Sequence, residues 1–368
     1  MPELDRIIET IVDWSTRDVD FALATVVGVR GSTYRGLAAR QLVGADGTSV
    51  GTVSGGCLDG DLREIAGGVI ESGAPRVVEF DLTADDEAVW GWGVGCNGAT
   101  RLLVEPGASA VSLIEKLSTL RASQRPAAVV HMLDGPAMGS RVVVTHRDVD
   151  GDLPRETVRE VRRVLLASTH RLLEIDGVHS MIEVVGSPSR LIVCGAGHDA
   201  VPVVRQAAAL GFEVTVVDDR RQFLTQERFS GAATLVRCEP SELATSVVLD
   251  GRSFVVLMSH NYLRDLDYLR SLLGTDVAYI GSLGPGERLA RLLADLRAAG
   301  DEPSAADLSK LHGPAGLDIG AEGPEEIAWA ILAEILAVRR GKTAGFLQNR
   351  KGPPELRDQA KTVDQSAG

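Results

Sequence analysis

Aromatic residues and cysteines are both scarce in this chain of 368 residues. Phe, Trp and Tyr together make up only 4% of it, so its cores must be packed mainly by aliphatic side chains, as is typical of α/β domains. The four cysteines, Cys57, Cys96, Cys194 and Cys238, are widely spaced and form no CxxC pair or zinc pattern. We therefore do not expect a disulfide framework.

The sequence also lacks a basic excess and a long apolar run. Lys and Arg number 38 against 51 Asp and Glu, and the net charge of −13 argues against a general nucleic-acid binder, which needs a basic face. No stretch is apolar enough for a membrane span, and the N-terminus lacks the basic start and apolar run of a signal peptide. We expect a cytoplasmic protein whose partners include neither nucleic acid nor membrane.

The pattern of apolar residues changes near Gly186-Ser187-Pro188-Ser189, a sequence typical of a linker. Before it, residues 1–187 are predicted to form an α+β domain, with 108–187 as a candidate subdomain. After it, strands and helices alternate through 188–340, with one helix predicted at 221–228. This alternation predicts an α/β fold with a C-terminal Rossmann-like doubly wound parallel sheet. Residues 341–368 are predicted to be a polar tail.

A glycine loop opens the second part, with the sequence Gly195-Ala196-Gly197-His198-Asp199-Ala200. It lies between a predicted strand and a predicted helix, where Gly195 would allow a tight turn and Gly197 the close approach of a pyrophosphate. The next strand ends at Asp218, about 20 residues further on, where a ribose-binding acid is expected. The alternative is a strand-to-helix turn that needs glycine for steric reasons alone.

Ligands of open α/β sheets bind outside the carboxyl ends of the strands. Two further strands end at Ser259-His260 and at Gly281, so we predict that these residues and His198 face a cofactor. His260 could instead simply precede a helix that is capped by Asn261. We find no pair of groups suited to hydride transfer, so no catalytic residue is assigned.

The N-terminal part contains two glycine-rich loops with a cysteine each. Ser54-Gly55-Gly56-Cys57 precedes a predicted helix, whose first amides would favour an anion, and Cys96 lies in the second loop. Arg40, like Arg30 and Arg35, flanks the glycine-rich stretch at Gly31-Ser32-Thr33 and is a candidate cation for a ligand. The alternatives are that both cysteines are small packing residues and that the arginine is solvated.

These motifs resemble the xanthine dehydrogenase accessory factors, also called the XdhC/CoxI family. The resemblance covers about residues 10–105 and 188–340. Its most specific part is the segment His312–Glu322, because a generic dehydrogenase has no reason to carry it. The motifs are Gly31-Ser32-Thr33-Tyr34-Arg35, Ala39-Arg40, Ser54–Cys57, Gly95–Gly98, Cys194–His198, Val217–Arg220, Tyr279–Ser282, His312–Glu322 and Pro324–Ala328.

The resemblance implies a protein that binds molybdopterin, the molybdenum cofactor, either alone or with an attached nucleotide. It implies two partners: a cysteine desulfurase that supports sulfuration of the cofactor, and a client molybdenum hydroxylase such as xanthine dehydrogenase or carbon monoxide dehydrogenase. Thiolates suit soft metal chemistry, which would give Cys57 and Cys96 a purpose. The alternative is an NAD(P)-dependent oxidoreductase, in which Asp218 would favour NAD. A homodimer is expected, as the commonest oligomer.

Overall fold

The computed structural model describes residues 2–81, 98–123, 125–167, 169–232 and 234–349. By their internal contacts these residues form two compact units. The N-terminal unit is built from residues 3–187, and the C-terminal unit from residues 188–349.

The N-terminal unit contains two antiparallel sheets of five strands each, with orders β3-β2-β1-β5-β4 and β8-β7-β6-β10-β9. Its elements are α1 (Pro2–Thr16), β1 (Phe21–Gly31), β2 (Arg40–Gly44), β3 (Ser49–Gly51), α2 (Asp59–Ser72), β4 (Arg76–Asp81), β5 (Gly98–Pro106), α3 (Gly107–Ala122), β6 (Ala127–Met132), β7 (Arg141–Thr145), β8 (Val149–Asp150), α4 (Arg155–Ala167), β9 (Arg171–Ile175) and β10 (Val178–Val185).

Four apolar clusters hold these two sheets and four helices together. Helix α2 covers one face of the first sheet, and α4 covers one face of the second. A third cluster joins α1 and α3 to residues of both sheets, among them Leu23 and Leu42 from the first and Val129 and Val143 from the second. The fourth is small and also contains residues of both sheets. The segment 108–187 therefore shares a hydrophobic core with the preceding strands.

The C-terminal unit is built on one parallel sheet of six strands, in the order β13-β12-β11-β14-β15-β16. This order is that of the Rossmann fold, and it confirms the predicted fold class. The elements are β11 (Arg190–Cys194), α5 (Ala200–Ala209), β12 (Glu213–Val217), β13 (Thr234–Val236), α6 (Leu243–Ser246), β14 (Ser253–Leu257), α7 (Tyr262–Leu272), β15 (Tyr279–Ser282), α8 (Gly286–Ala298), α9 (Ala305–Ser309), β16 (Leu311–His312) and α10 (Gly323–Arg339).

Helices cover both faces of the parallel sheet, because its strands are apolar on both sides. Helices α5 and α10 pack on one face, and α7 and α8 on the other. No helix among the described residues is long and apolar enough to cross a membrane.

The helix predicted for 221–228 is wrong. Only Arg221–Phe223 forms a short 3-10 turn. The carbonyl of Phe223, which a continuing helix would use for its own backbone, accepts a hydrogen bond from the Arg228 guanidinium at 3.0 Å. The short strand β16 adds a sixth strand that the sequence pattern did not indicate.

Candidate functional site

The glycine loop at residues 195–199 connects β11 to α5. Gly195 has φ +119°, and a Cβ atom there would lie 2.6 Å from the carbonyl oxygen of Met258. A side chain would therefore collide with backbone at the end of β14. Glycine is required here by the close approach of two strand ends, whether or not a ligand binds.

Asp199 and His260 contact each other beside Gly197. The sequence pattern did not predict this contact. The Nε2 atom of His260 lies 2.6 Å from Asp199 Oδ2, and a Cβ atom on Gly197 would lie 2.7 Å from Asp199 Oδ1. His260 has φ +55°, an uncommon value for a residue with a side chain, and it is 61% exposed. Such strain is often found at binding sites, so the pair marks this edge of the sheet as a candidate site. His198 is exposed beside it.

Asp218 is buried at the end of β12, and both of its carboxylate oxygens have protein partners. Oδ1 accepts from the backbone N–H and Nε of Arg220, and Oδ2 accepts from Arg220 Nη2 and from the N–H of Ala196, each at 2.8 Å. Burial alone would raise the pKa of Asp218, but these bonds lower it to about 2. Ribose binding by this carboxylate stays a prediction, and it would require some of these bonds to break.

Ser259 does not present its hydroxyl to a ligand as predicted. Its Oγ is 2.5 Å from Asp265 Oδ1 and accepts from the N–H of Asn261. Asp265 is 1% exposed and receives the Arg288 guanidinium at 2.6 Å. The serine therefore fixes the turn that carries His260, because its hydroxyl is satisfied within the fold.

Gly281 is buried within β15, one residue before the end of the strand. A Cβ atom there would lie 2.6 Å from the Tyr279 hydroxyl. That hydroxyl donates to Glu334 at 2.6 Å, and Glu334 also accepts from the N–H of Gly316 and pairs with His312. Burial would raise the pKa of Glu334, but the His312 and Tyr279 bonds lower it. Glu334 thus ties β15, β16 and the following glycine-rich loop to α10. No sequence motif singled it out, because its role depends on three distant segments.

In the N-terminal unit, Cys57 lies at a small, shallow concavity. The Tyr34 ring, 60% exposed, faces Gly55, whose added Cβ would contact it at 3.7 Å. Gly56 has φ +104° with open space around it. Gly55, Gly56 and Cys57 are all exposed at this loop, and cofactor binding by these residues stays a prediction. The concavity is lined by Thr33, Tyr34, Val53, Ser54, Gly55, Cys57, Leu58, Gly98 and Thr100.

The structure differs from the predicted anion-binding site at this loop in where the helix begins and in the charge of its first turn. Helix α2 begins at Asp59, two residues after Cys57, and its first turn carries Asp59 and Asp61. These carboxylates already complement the positive end of the helix and repel an incoming anion. Cys57 is exposed, whereas Cys194 and Cys238 are buried free thiols of the other unit, with pKa values raised by burial. Cys96 lies outside the described residues.

Arg40 is not available to a ligand as predicted, because it is 4% exposed and pairs with Glu183 at 2.6 Å. It belongs to a buried ionic cluster between the two sheets, whose residues come from five strands. The cluster consists of Arg40, Glu105, His131, Arg141 and Glu183. Spacing along the chain could not show this, since Arg40 and Glu183 are 143 residues apart.

The cluster predicts a specific pH dependence of stability. Burial lowers the pKa of His131, helped by Arg141 and Arg40 and opposed by Glu183. The stability that neutral His131 contributes is therefore fully present above pH 6.5, the ordinary pKa of histidine. It is lost as the pH falls below that value, because the unfolded chain then binds a proton that the folded protein does not. From pH 7 to 5.5 this loss is up to about 1 kcal/mol of unfolding free energy.

We expect His131→Gln to reduce that loss when urea unfolding is measured at both pH values. The exposed His146→Gln should leave it unchanged. Since Glu105, whose pKa burial raises, titrates in the same cluster, the comparison of variant with wild type isolates His131. An equal pH dependence in all three proteins would contradict the assignment.

No three His, Cys, Asp or Glu side chains are grouped to hold a metal ion in the part of the chain that the structure describes.

Comparison with known proteins extends these observations. Residues 191–335 match the model of the XdhC Rossmann domain, and residues 14–81 match that of the XdhC and CoxI family. A protein of Bacillus subtilis named as a probable xanthine dehydrogenase subunit is 31% identical over 90% of this chain and 97% of its own length. The molybdenum cofactor insertion chaperone PaoD of Escherichia coli is 24% identical over 86% of this chain and 83% of its own. A solved xanthine dehydrogenase structure from Bacillus halodurans has a TM-score of 0.76 at 29% identity, covering 91% of this chain and 96% of that one.

Proposed function

Because this chain belongs to the XdhC and CoxI family, we propose that it binds the molybdenum cofactor and inserts it into a molybdenum hydroxylase. The observation that carries the proposal is the match to a relative named as a molybdenum cofactor insertion chaperone, which extends over 318 residues. The client would be an enzyme of the xanthine dehydrogenase or carbon monoxide dehydrogenase type.

The carboxyl edge of the parallel sheet supports binding of an anionic cargo. Molybdopterin carries a phosphate, and Rossmann folds bind phosphorylated ligands at this edge. Here the edge presents the glycine loop, the exposed His198 and the strained His260. In the proposal these residues contact the cargo, whereas Asp218, Ser259 and Gly281 hold the loops in place.

Within the N-terminal unit, the exposed Cys57 is a candidate ligand for the cofactor. A thiolate is a suitable ligand for the soft molybdenum–sulfur chemistry of the cargo, and the open loop around Gly56 leaves room for it. The proposed partners are the client enzyme and a cysteine desulfurase that supplies sulfur for the cofactor, and the proposed assembly is a homodimer.

An NAD(P)-dependent activity is the second candidate, favoured by the Rossmann strand order and the glycine loop. Binding of a nicotinamide nucleotide alone would not establish turnover, since hydride transfer also needs an acid–base group placed at the nicotinamide.

The proposal is tested by anaerobic purification of the full chain from cells supplied with molybdate. We expect pterin and molybdenum to co-purify with the wild-type protein, and Cys57→Ser to retain less molybdenum at unchanged folding, as judged by circular dichroism. The exposed Ser72→Ala, at the far end of the helix α2 that follows Cys57, is the control and should retain the wild-type amount. A pure, folded protein without pterin would exclude the function.

A further inference from the structure

In the segment after β12, the guanidinium groups of two arginines pack against the same aromatic ring. The guanidinium carbon of Arg220 lies 4.3 Å from the centroid of Phe223, and that of Arg228 lies 5.3 Å from the same centroid. Arg228 also lies 5.3 Å from the ring of Phe229. The rings fix both guanidinium groups beside the glycine loop, at the end of the sheet where a nucleotide ribose binds in Rossmann domains.

Arg220 and Asp218 neutralise each other at this place. Arg220 gives Asp218 three of the four hydrogen bonds that the carboxylate receives. A ribose diol is recognised by a carboxylate with free acceptor positions. This carboxylate is 2% exposed and fully engaged, so an unphosphorylated ribose gains little from it.

Arg228, in contrast, carries a charge without a carboxylate partner among the described residues. Its guanidinium donates to the carbonyl oxygens of Phe223 at 3.0 Å and Gly197 at 3.3 Å. Of the neighbouring acids, Asp199 pairs with His260 and Asp219 with Arg264, each through Oδ2, while the Oδ1 atom of each is buried without a hydrogen-bond partner. Arg228 thus makes no direct ion pair among the described residues and is held against the glycine loop by its bond to Gly197, in a protein whose net charge is −13.

We propose that Arg228 forms a subsite for a phosphate monoester beside the glycine loop. The subsite selects a ligand with a terminal phosphate over one with a free ribose diol, because the dianion accepts charge-assisted hydrogen bonds from the Arg228 guanidinium. Two sources carry this group: the phosphate of molybdopterin and the 2′-phosphate of an NADP-type nucleotide. The inference rests on the proposed function only in taking this edge of the sheet as the ligand site.

The first experiment compares ligands that differ by one phosphate. The full-length protein is titrated by calorimetry with 2′-AMP and adenosine, and with NADPH and NADH. We expect the phosphorylated member of each pair to bind about tenfold more tightly or better, as one charge-assisted bond allows. Equal affinities within both pairs would overturn the subsite.

The second experiment removes the charge. Arg228→Gln is expected to abolish most of the preference for 2′-AMP, while Arg228→Lys retains part of it. Arg297→Gln is the control, because it removes the same charge from an exposed position on α8. If Arg228→Gln does not fold, the wild-type ligand pairs and Arg228→Lys still decide the question. An unchanged preference in folded Arg228→Gln would refute the proposal.

Pterin retained during anaerobic purification distinguishes the two sources. Loss of pterin from Arg228→Gln, with normal retention by Arg297→Gln, identifies the molybdopterin phosphate as the occupant. Normal pterin retention with lost 2′-AMP binding identifies a ribose phosphate. If the wild type carries no pterin but prefers 2′-AMP through Arg228, the subsite stands and the chaperone function fails. If it carries pterin but shows no phosphate preference in either pair, the function stands and the subsite fails.

Discussion

Replacing Gly195 with alanine is expected to destabilise the C-terminal unit by about 3 kcal/mol or more. Two costs add up at this position. A residue with a side chain is strained at φ +119°, and its Cβ would lie 2.6 Å from a backbone oxygen of Met258, which cannot move away as a flexible side chain could. The turn between β11 and α5 would have to open, and with it the edge that carries His198 and Asp199.

Gly274 provides the matched control for this substitution. It also has a positive φ, +75°, but an added Cβ would have no neighbour within 4 Å. Gly274→Ala should therefore cost only the backbone strain, about 1 kcal/mol. The loss of unfolding free energy in each of the two variants is measured by urea unfolding followed by hydrogen exchange of peptides from 188–349. If the two variants lose the same stability, the close approach to Met258 is not what requires glycine at Gly195.

Replacing Glu183 with glutamine should have the largest effect in the N-terminal unit. Burial alone would raise the pKa of Glu183, but Arg40 and His131 hold it well below its ordinary value, so the carboxylate is charged inside the fold. The substitution keeps the volume and leaves the Arg40 charge buried without its partner. Breaking such a pair costs about 3–5 kcal/mol.

Two further variants separate charge from packing at this cluster. Asp13→Asn breaks an exposed pair with Arg17 and should cost less than about 1 kcal/mol. The double variant Arg40→Met with Glu183→Met removes both charges and should recover most of the stability lost in Glu183→Gln, because hydrophobic replacements of a buried pair are often tolerated. Urea unfolding of the N-terminal unit checks each variant. A loss under about 1 kcal/mol in Glu183→Gln would show that Arg40 finds another partner or water.

Local sequence rules were sufficient for the glycine loop and for the strand-helix alternation around it. The turn at Gly195 follows from two glycines between an apolar strand and a helix, and these features are contained within a few residues. The same rules failed at 221–228, where a side chain competes for the backbone carbonyl of Phe223. They also failed for Arg40 and Ser259, whose partners Glu183 and Asp265 could not be identified from sequence spacing.

The sequence by itself determined the family, the Rossmann order of the second half and the glycine-rich loops, because each is encoded by neighbouring residues and their periodicity. Only the tertiary structure decided which polar groups are left for a ligand. Asp218, Ser259 and Arg40 have the residue types of a binding site, yet their charges and hydroxyl are satisfied inside the fold. Arg228 belongs to no sequence motif, yet among the described residues it keeps a charge without a carboxylate partner beside Gly197. The physical reason is that the availability of a charge depends on its partners across the whole fold, and those partners come from distant parts of the chain.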